Sequence, residues 1–459
     1  RPSWLFPFFE RKLRQVAGLG KVHPDQTLKK TPKRYDFCDL LVIGSGPAGL
    51  SSALVAAKLG LKVLLVEEET QPGGTLGYQL FSEQEGPGTL NRLLSEITNQ
   101  PNIEIRTQTS AAGYYADHWI ALVDPQRMTK LRARSVIVSS GCYEQLCVFR
   151  NNDLPGVMLA SAAQRLIHQF AVKPFQKALV LTANSDGYRA AVDLQQSGVP
   201  VVLIADLRPE GEHSAWKDRA LRHNIPIQLG TAVYEAIPST GKQGIQGAVL
   251  CSINSQGHVQ SKEIDQVIYC DGIAMSVGWS PADGILRQAG GQMVYRKGLE
   301  QYVPEELPPG IFAAGRLNGV YLLSDQLKDG TRAGCQAAAY LEKPDVNIPF
   351  SVDRQNFPMS HPFPIISHPK GKNFVDLDED IQLKDLENSV QEGFDSMELL
   401  KRYSTFGMGL SQGKHSNLNT GRILSRLKGK SLTNTGLTTS RPFTNSVALG
   451  HLAGRIFSP

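Results

Sequence analysis

Residues 39–50 constrain this chain more than any other stretch. Four apolar residues, Leu40 to Ile43, end at Gly44. The spacing Gly44-x-Gly46-x-x-Gly49 follows at once and opens onto a small-residue helical run from Leu50 to Leu59. The order is strand, tight turn, helix. Gly44 permits the turn, Gly46 admits a pyrophosphate to the backbone, and Gly49 lets helix and strand pack closely. The N-terminus of such a helix offers free N–H groups and a favourable dipole to an anion. Pro47 suits the first helical turn, where no N–H is needed. Lys62 to Val66 reads as a second strand. Glu67 stands 23 positions after Gly44, close to the spacing of a carboxylate that accepts from a ribose 2′-OH. Glu68 and Glu69 follow, and three carboxylates repel a 2′-phosphate. An NAD- or FAD-like adenosine is expected in preference to NADP.

At 459 residues the chain has room for two or three domains. No run reaches the ~18 apolar residues of a membrane span, and no apolar h-region follows the basic residues 1–36, so neither a membrane segment nor a signal peptide is expected. Six scattered cysteines without CxxC or metal spacing suit a reducing cytoplasm. The net charge of +5 is unevenly spread. Residues 1–34 hold nine Lys/Arg against Glu10 and Asp25, and residues 400–459 hold nine against no acid, so the middle is strongly acidic. Basic ends suggest docking onto an anionic surface or a phosphate. No aromatic-interleaved basic motif points to nucleic acid.

Residues 1–36 read as a basic arm with aromatic residues at Trp4, Phe6, Phe8 and Phe9 and a helical pattern from Glu10 to Val16. A dinucleotide-binding domain is expected over 37–144 and 265–345, with a second Rossmann-like domain inserted at 145–264. Just past the first βαβ unit, the turn before Gly74 and Thr75 leads to Leu76, Gly77 and Tyr78, which excludes the cysteine pair of disulfide reductases. Gly141 ends a strand where two-dinucleotide-domain flavoproteins carry a cofactor-touching Ala-Thr-Gly. The inserted unit turns through Thr182 to Gly187 with a single glycine, so its phosphate cradle is degenerate and expected to be empty. The strand ending at Gly315 is followed by Arg316, where flavin-binding folds often place a ribityl-binding Asp. That argues for an adenine nucleotide over flavin in this chain. Helix 329–341 closes the domain. A proline-rich linker (346–372) precedes a helical module and basic tail (373–459), in which Asp395 and Glu398 resemble a capping box. The fold class is α/β: a two-dinucleotide-binding-domain, FAD/NAD(P)-binding Rossmann-like fold with a small cluster-free helical module.

The segments 44–49, 148–158, 401–408, 11–20 and 441–450 resemble the α subunit of heterotetrameric sarcosine oxidase, and the resemblance runs through essentially the whole chain. Opine oxidases, amino-acid dehydrogenases and hydrogen cyanide synthase have related α subunits. The family's α subunit adds a ferredoxin-like domain before this region and an aminomethyltransferase-like domain after it, so the chain is expected to be part of something longer. In several relatives the helical module holds a [2Fe-2S] cluster on four cysteines. The matching positions are Asp376, Asp378, Ser411 and Ser416, which cannot supply thiolates, so no metal site is expected. The resemblance implies NAD in this chain, taking no part in turnover, with FAD in a β-type flavoprotein subunit and FMN at the interface with it. It also implies small accessory subunits, a small amine substrate and possibly tetrahydrofolate. Carried over by position, the NAD contacts are Ala48, Glu67, Glu68, Glu69, Thr75, Ala111, Arg316, Tyr321 and Leu323. Gly44, Gly46, Gly49, Gly74, Gly141 and Gly315 complete the candidate cofactor set.

No catalytic residue is visible. His168, His213, His223, His361 and His415 are isolated in sequence. Lys401, Arg402, Lys414 and His415 are candidates for an anion such as the FMN phosphate. Two other readings compete. A self-contained FAD-dependent NAD(P)H oxidoreductase would fill both Rossmann-like units, with FAD in this chain. A ligand-free scaffold would tolerate bulk at Gly44 and Gly46.

Overall fold

A computed structural model of the chain describes residues 3–18, 31, 33–81, 88–210, 213–260, 266–342 and 360–453. Within the expected arm, α1 (Phe6–Val16) buries none of its residues. The rest of the arm up to residue 30 lies outside the described residues, apart from residues 3–5 and 17–18.

The first unit begins with β1 (Arg34–Ile43), whose Leu40, Leu41 and Val42 are fully buried. Apolar side chains on both faces suit an interior parallel strand. Then follow α2 (Pro47–Lys58), β2 (Val63–Val66), α3 (Thr89–Thr98) and β3 (Ile103–Arg106). Next come β4 (Ser110–Tyr115), β5 (Trp119–Val123) and β6 (Met128–Val138). The sheet order is β3-β2-β1-β6-β5-β4. β1 is parallel to β2 and to β6, and this is the arrangement that directs the α2 N-terminus to the carboxyl edge of the sheet.

The chain leaves through β7 (Cys142–Glu144). It then forms β8 (Val157–Leu159), α4 (Ala160–Phe170), β9 (Ala178–Thr182), α5 (Ser185–Gln196) and β10 (Val201–Asp206). α6 (Ala215–Arg222) and β11 (Ile227–Leu229) follow, and β12 (Thr231–Pro238), β13 (Ile245–Ser252) and β14 (Gln266–Ile268) make an antiparallel layer. The sequence places the return to the first unit at 265. The structure places it later. β15 (Gly272–Ser276) is wholly buried and runs parallel between β9 and β8, giving a second sheet of order β11-β10-β9-β15-β8. A short apolar strand serves either sheet equally, and only topology assigns it. β16 (Trp279–Pro281) then pairs with β7, so the two crossings between the units lie side by side.

α7 (Gly284–Gln288), β17 (Gln292–Arg296) and β18 (Gln301–Glu306) precede β19 (Ile311–Ala313), which rejoins the first sheet beside β6. α8 (Leu323–Tyr340) starts six residues before the expected Asp329 and packs on α2. Their approach is close: a Cβ on Gly330 would lie 2.2 Å from the Ala48 carbonyl oxygen.

Of the expected linker, residues 346–359 lie outside the described residues. Residues 360–372 are packed rather than free: the Val148 N–H donates to the Pro364 carbonyl at 3.0 Å, and the Ile366 N–H donates to Val148 at 2.7 Å. The last module holds β20 (Phe374–Asp376), β21 (Ile381–Gln382), α9 (Leu383–Gln391), α10 (Met397–Ser404) and α11 (Asn417–Leu427). Ser396, not Asp395, caps α10 by accepting from the Leu399 N–H at 3.3 Å, and Asp395 instead pairs with Lys428. Leu383, Leu386, Leu400, Phe406 and Ile423 share one core with Leu203, Ala232 and Leu250 of the second unit. Burying each such large side chain contributes roughly 1.5–3 kcal/mol, which fixes the module onto that unit. Among the described residues, no helix is long and apolar enough to cross a membrane.

Candidate functional site

A groove runs along the carboxyl edge of the first sheet. Its floor is the glycine turn. Gly44 has φ +95°, a conformation that favours glycine, and a Cβ there would lie 2.6 Å from the Ser139 carbonyl oxygen. A Cβ on Gly49 would lie 1.9 Å from the Gly44 carbonyl oxygen, so Gly49 sits behind the turn as the strand–helix contact. Gly46 differs. It is the N-cap of α2, no side chain caps it, and no described protein atom lies within 4 Å of where its Cβ would stand. The first N–H groups of α2 are therefore open to a ligand anion at this point.

The three carboxylates beside the turn are held by the chain itself. Buried Glu67 accepts from the Ser45 N–H at 2.9 Å and the Ser45 hydroxyl at 2.6 Å through Oε2, and from the Glu69 N–H at 3.0 Å through Oε1. Oε1 keeps a lone pair for a further donor. Glu68 accepts from Asn445 at 3.2 Å, and Glu69 pairs with Arg165 at 2.6 Å.

Gly44, Gly46, Ala48, Glu67, Glu68, Glu69, Gly74, Thr75, Ala111, Gly141, Gly315 and Arg316 all line the groove. Gly49, Tyr321 and Leu323 do not. Tyr321 is buried behind Arg316, with its hydroxyl donating to Gln301, and Leu323 is a buried residue in the first turn of α8. The glycine pattern and the carry-over missed Ser45, Tyr78, Ser139, Tyr143 and the Trp279–Ile285 stretch. They also missed a roof from the last module that includes Lys414, Thr438, Ser440, Thr444 and Asn445. Nothing in the polar tail distinguishes a roof from a surface coil. Only Ser45, next to Gly44 inside the glycine pattern, carried a readable signal.

At the far end of the groove Arg316 is buried, and its Nη1 pairs with Asp186 of the second unit at 3.2 Å. Its Nη2 donates to Gln79 at 3.0 Å, and its guanidinium carbon lies 4.9 Å from the Trp279 ring centre. Burial pushes the Asp186 carboxyl up, but Arg316 and Arg189 outweigh it and hold the group below its ordinary value. The Nε of Arg316 makes no hydrogen bond among the described residues.

Asp186 also stands in the first turn of α5. Asn184 caps α5 by accepting from the Asp186 and Gly187 N–H groups at 3.0 and 3.3 Å. A Cβ on Gly187 would lie 2.0 Å from the Thr182 hydroxyl oxygen. Asp206, at the end of β10, accepts from Tyr188 at 2.7 Å and pairs with Arg208 at 2.8 Å. Two N–H groups at the α5 N-terminus and the Asp206 carboxylate are thus engaged by the chain's own side chains.

The four expected cluster positions converge through hydrogen bonds. Asp376 accepts from Ser416 at 2.8 Å and from the Asp378 N–H at 2.9 Å, and Asp378 accepts from the Ser411 N–H at 2.7 Å. Among the described residues no group of three or more His, Cys, Asp or Glu is placed to hold a metal ion. Cys142 lines the groove, and burial pushes its thiol up to about 12, which favours the neutral thiol over the thiolate. His415 contacts the Glu144 carbonyl oxygen at 3.1 Å, and His168 pairs with Asp193 at 2.8 Å. Of the four anion candidates only Lys414 lines the groove.

Two family models match the chain: the pyridine nucleotide-disulphide oxidoreductase model over residues 38–324 and the sarcosine oxidase A3 domain over 370–455. The chain is 29% identical to the sarcosine oxidase α subunit of Rhizobium meliloti, over 99% of this chain and 46% of that one. It is 26% identical to that of Corynebacterium sp. (strain P-1), over 96% of this chain and 48% of that one. It thus spans about half the length of these relatives. Among solved structures, L-proline dehydrogenase from P. horikoshii superposes with a TM-score of 0.67 at 19% identity, over 94% of this chain and 82% of that one. Thioredoxin reductase from T. acidophilum gives 0.52 at 19% identity, over 66% of this chain and 97% of that one. These confirm the two-dinucleotide-domain fold. The chain belongs to the pyridine nucleotide-disulphide oxidoreductase family, and its last module matches the sarcosine oxidase A3 domain.

Proposed function

We propose that this chain is the nucleotide-holding α-type subunit of a sarcosine oxidase-like complex that oxidises a small secondary or N-methyl amine. The observation that carries this reading is the contrast at the two helix N-termini: Gly46 leaves the α2 donors open, while the Asn184 side chain takes two of those of α5 and Asp186 in its first turn pairs with Arg316. One dinucleotide per chain fits that pattern, and NAD fits it best. The α2 N-terminus takes the pyrophosphate, Glu67 Oε1 accepts from a ribose hydroxyl, and Gly74 and Thr75 flank the turn. Glu67, Glu68 and Glu69 disfavour a 2′-phosphate.

Flavin chemistry, which supplies the hydride acceptor, belongs in this reading to FMN at the interface with a β-type flavoprotein subunit and to FAD within that subunit. Small accessory subunits and a tetrahydrofolate acceptor complete the complex. This chain contributes no catalytic side chain. Its residues bind and orient the nucleotide and hold the two Rossmann-like units together through Arg316 and Asp186. In place of a ribityl-binding carboxylate the groove is lined by the Arg316 guanidinium, which can donate hydrogen bonds but accept none.

The test is calorimetric titration of the nucleotide-stripped protein with NAD, NADP and FAD. The reading expects saturable binding of NAD, with NADP weaker by about tenfold or more, the size of one unfavourable charge contact. Binding of FAD in preference to NAD would favour the self-contained flavoenzyme.

A further inference from the structure

The roof of the groove comes from a part of the chain that no nucleotide-binding pattern assigns. Lys414 Nζ donates to Asn445 Oδ1 at 2.7 Å, and Asn445 Nδ2 donates to Glu68 Oε2 at 3.2 Å. These three side chains link the last module, the tail and the groove floor across the end that carries Glu67 to Glu69. The tail segment is seated. The Thr444 N–H donates to the Ala112 carbonyl of β4 at 2.8 Å. A Cβ on Gly284 would lie 2.7 Å from the Thr444 methyl, and one on Gly113 would lie 3.0 Å from Pro442 Cβ. Glycine stands at both places where the tail crosses α7 and β4. Beyond the crossing His451 is held by the Asp124 carbonyl oxygen at 2.8 Å. The backbone of Lys414 is pinned as well, its carbonyl accepting from Gln145 at 3.0 Å.

We infer that residues 438–445 form a strap over the adenosine end of the groove, latched by Lys414, Asn445 and Glu68, and that this latch sets how slowly a bound adenine dinucleotide leaves. The inference rests on the nucleotide-holding reading above. A ligand under such a strap touches both the first unit and the last module. Its release requires the latch to open, and its presence favours the docked tail.

The experiment uses the complete protein loaded with isotopically labelled NAD and chased with excess unlabelled NAD. Asn445→Ala and Lys414→Met are surface or half-buried changes that spare the turn and the sheet. Each is expected to speed release about tenfold, the scale of one lost charge-assisted hydrogen bond. The double variant should be little faster than either single, because the two act as one latch. Limited proteolysis should cut the tail more readily in the stripped protein than in the loaded one. Release within about twofold of wild type in both variants, with wild type retaining NAD, overturns the latch and leaves the nucleotide-holding reading standing. A wild-type protein that takes up no NAD overturns both.

Discussion

The first and second units share a strand–turn–helix plan and differ in what stands at the helix N-terminus. In α2 the N-cap is Gly46, with no side-chain partner and open space above it. In α5 the N-cap is Asn184, whose side chain takes two of the N–H groups, and the carboxylate of Asp186 sits in the first turn. A helix N-terminus attracts an anion in either case. In one unit that anion is left to a ligand. In the other it is a carboxylate of the chain, and its counter-charge, Arg316, is sent from the first unit. A dinucleotide fold can therefore keep its topology while turning a ligand site into a structural joint between units.

The largest expected break in this comparison is Asp186→Ala. It leaves the Arg316 guanidinium buried without its counter-charge, and unfolding experiments should show a loss of about 3–5 kcal/mol. The pH dependence has a definite sign. The folded carboxyl titrates below its ordinary value of 3.8, so its contribution is complete above 3.8 and is lost as the pH falls through the lowered folded value. Acid unfolding of the wild type should reflect that loss, and the variant should lack it.

Next in size is Gly46→Ala. The added methyl meets no described protein atom, so thermal stability should hold, while it projects into the open cradle and should weaken nucleotide binding by roughly a hundredfold, about 2.7 kcal/mol, in a titration. Gly187→Ala in the second unit should behave oppositely. The methyl would collide with Thr182, so stability should fall by about 1–3 kcal/mol with nucleotide affinity unchanged in the folded fraction. The smallest effect is Asn184→Ala, which removes the α5 cap and should cost about 1 kcal/mol by denaturant titration, again without touching nucleotide content.

The first unit was legible in the sequence because its signal is local. Residues 39–67 carry the turn, both strands and the carboxylate in one continuous stretch. The degenerate second turn was also legible, from its single glycine. What fills it was not, because Asp186 meets a partner 130 positions away, and no spacing rule connects them. The 265 boundary put residues 272–276 in the first unit because an apolar five-residue run fits either sheet, whereas β15 pairs with β9 and β8. α11 went unread in a stretch rich in Asn, Thr and Ser, whose burial against the second unit outweighs weak helix propensity. The roof was invisible for a similar reason: Thr444 and Asn445 are ordinary tail residues until the tail folds back over β4. Tyr321 and Leu323, carried over from the resemblance, are buried and do not line the groove, which adjacency in sequence to Arg316 does not reveal.

The most direct measurement is the number and kind of nucleotides released per chain. The purified protein is denatured, and the supernatant is quantified by absorption spectrum and mass. The account predicts one adenine dinucleotide of NAD mass for each copy of this chain, with any flavin accounted for by partner subunits. Two dinucleotides per copy, or flavin released from this chain alone, would contradict the contrast between Gly46 and Asp186 on which the account stands.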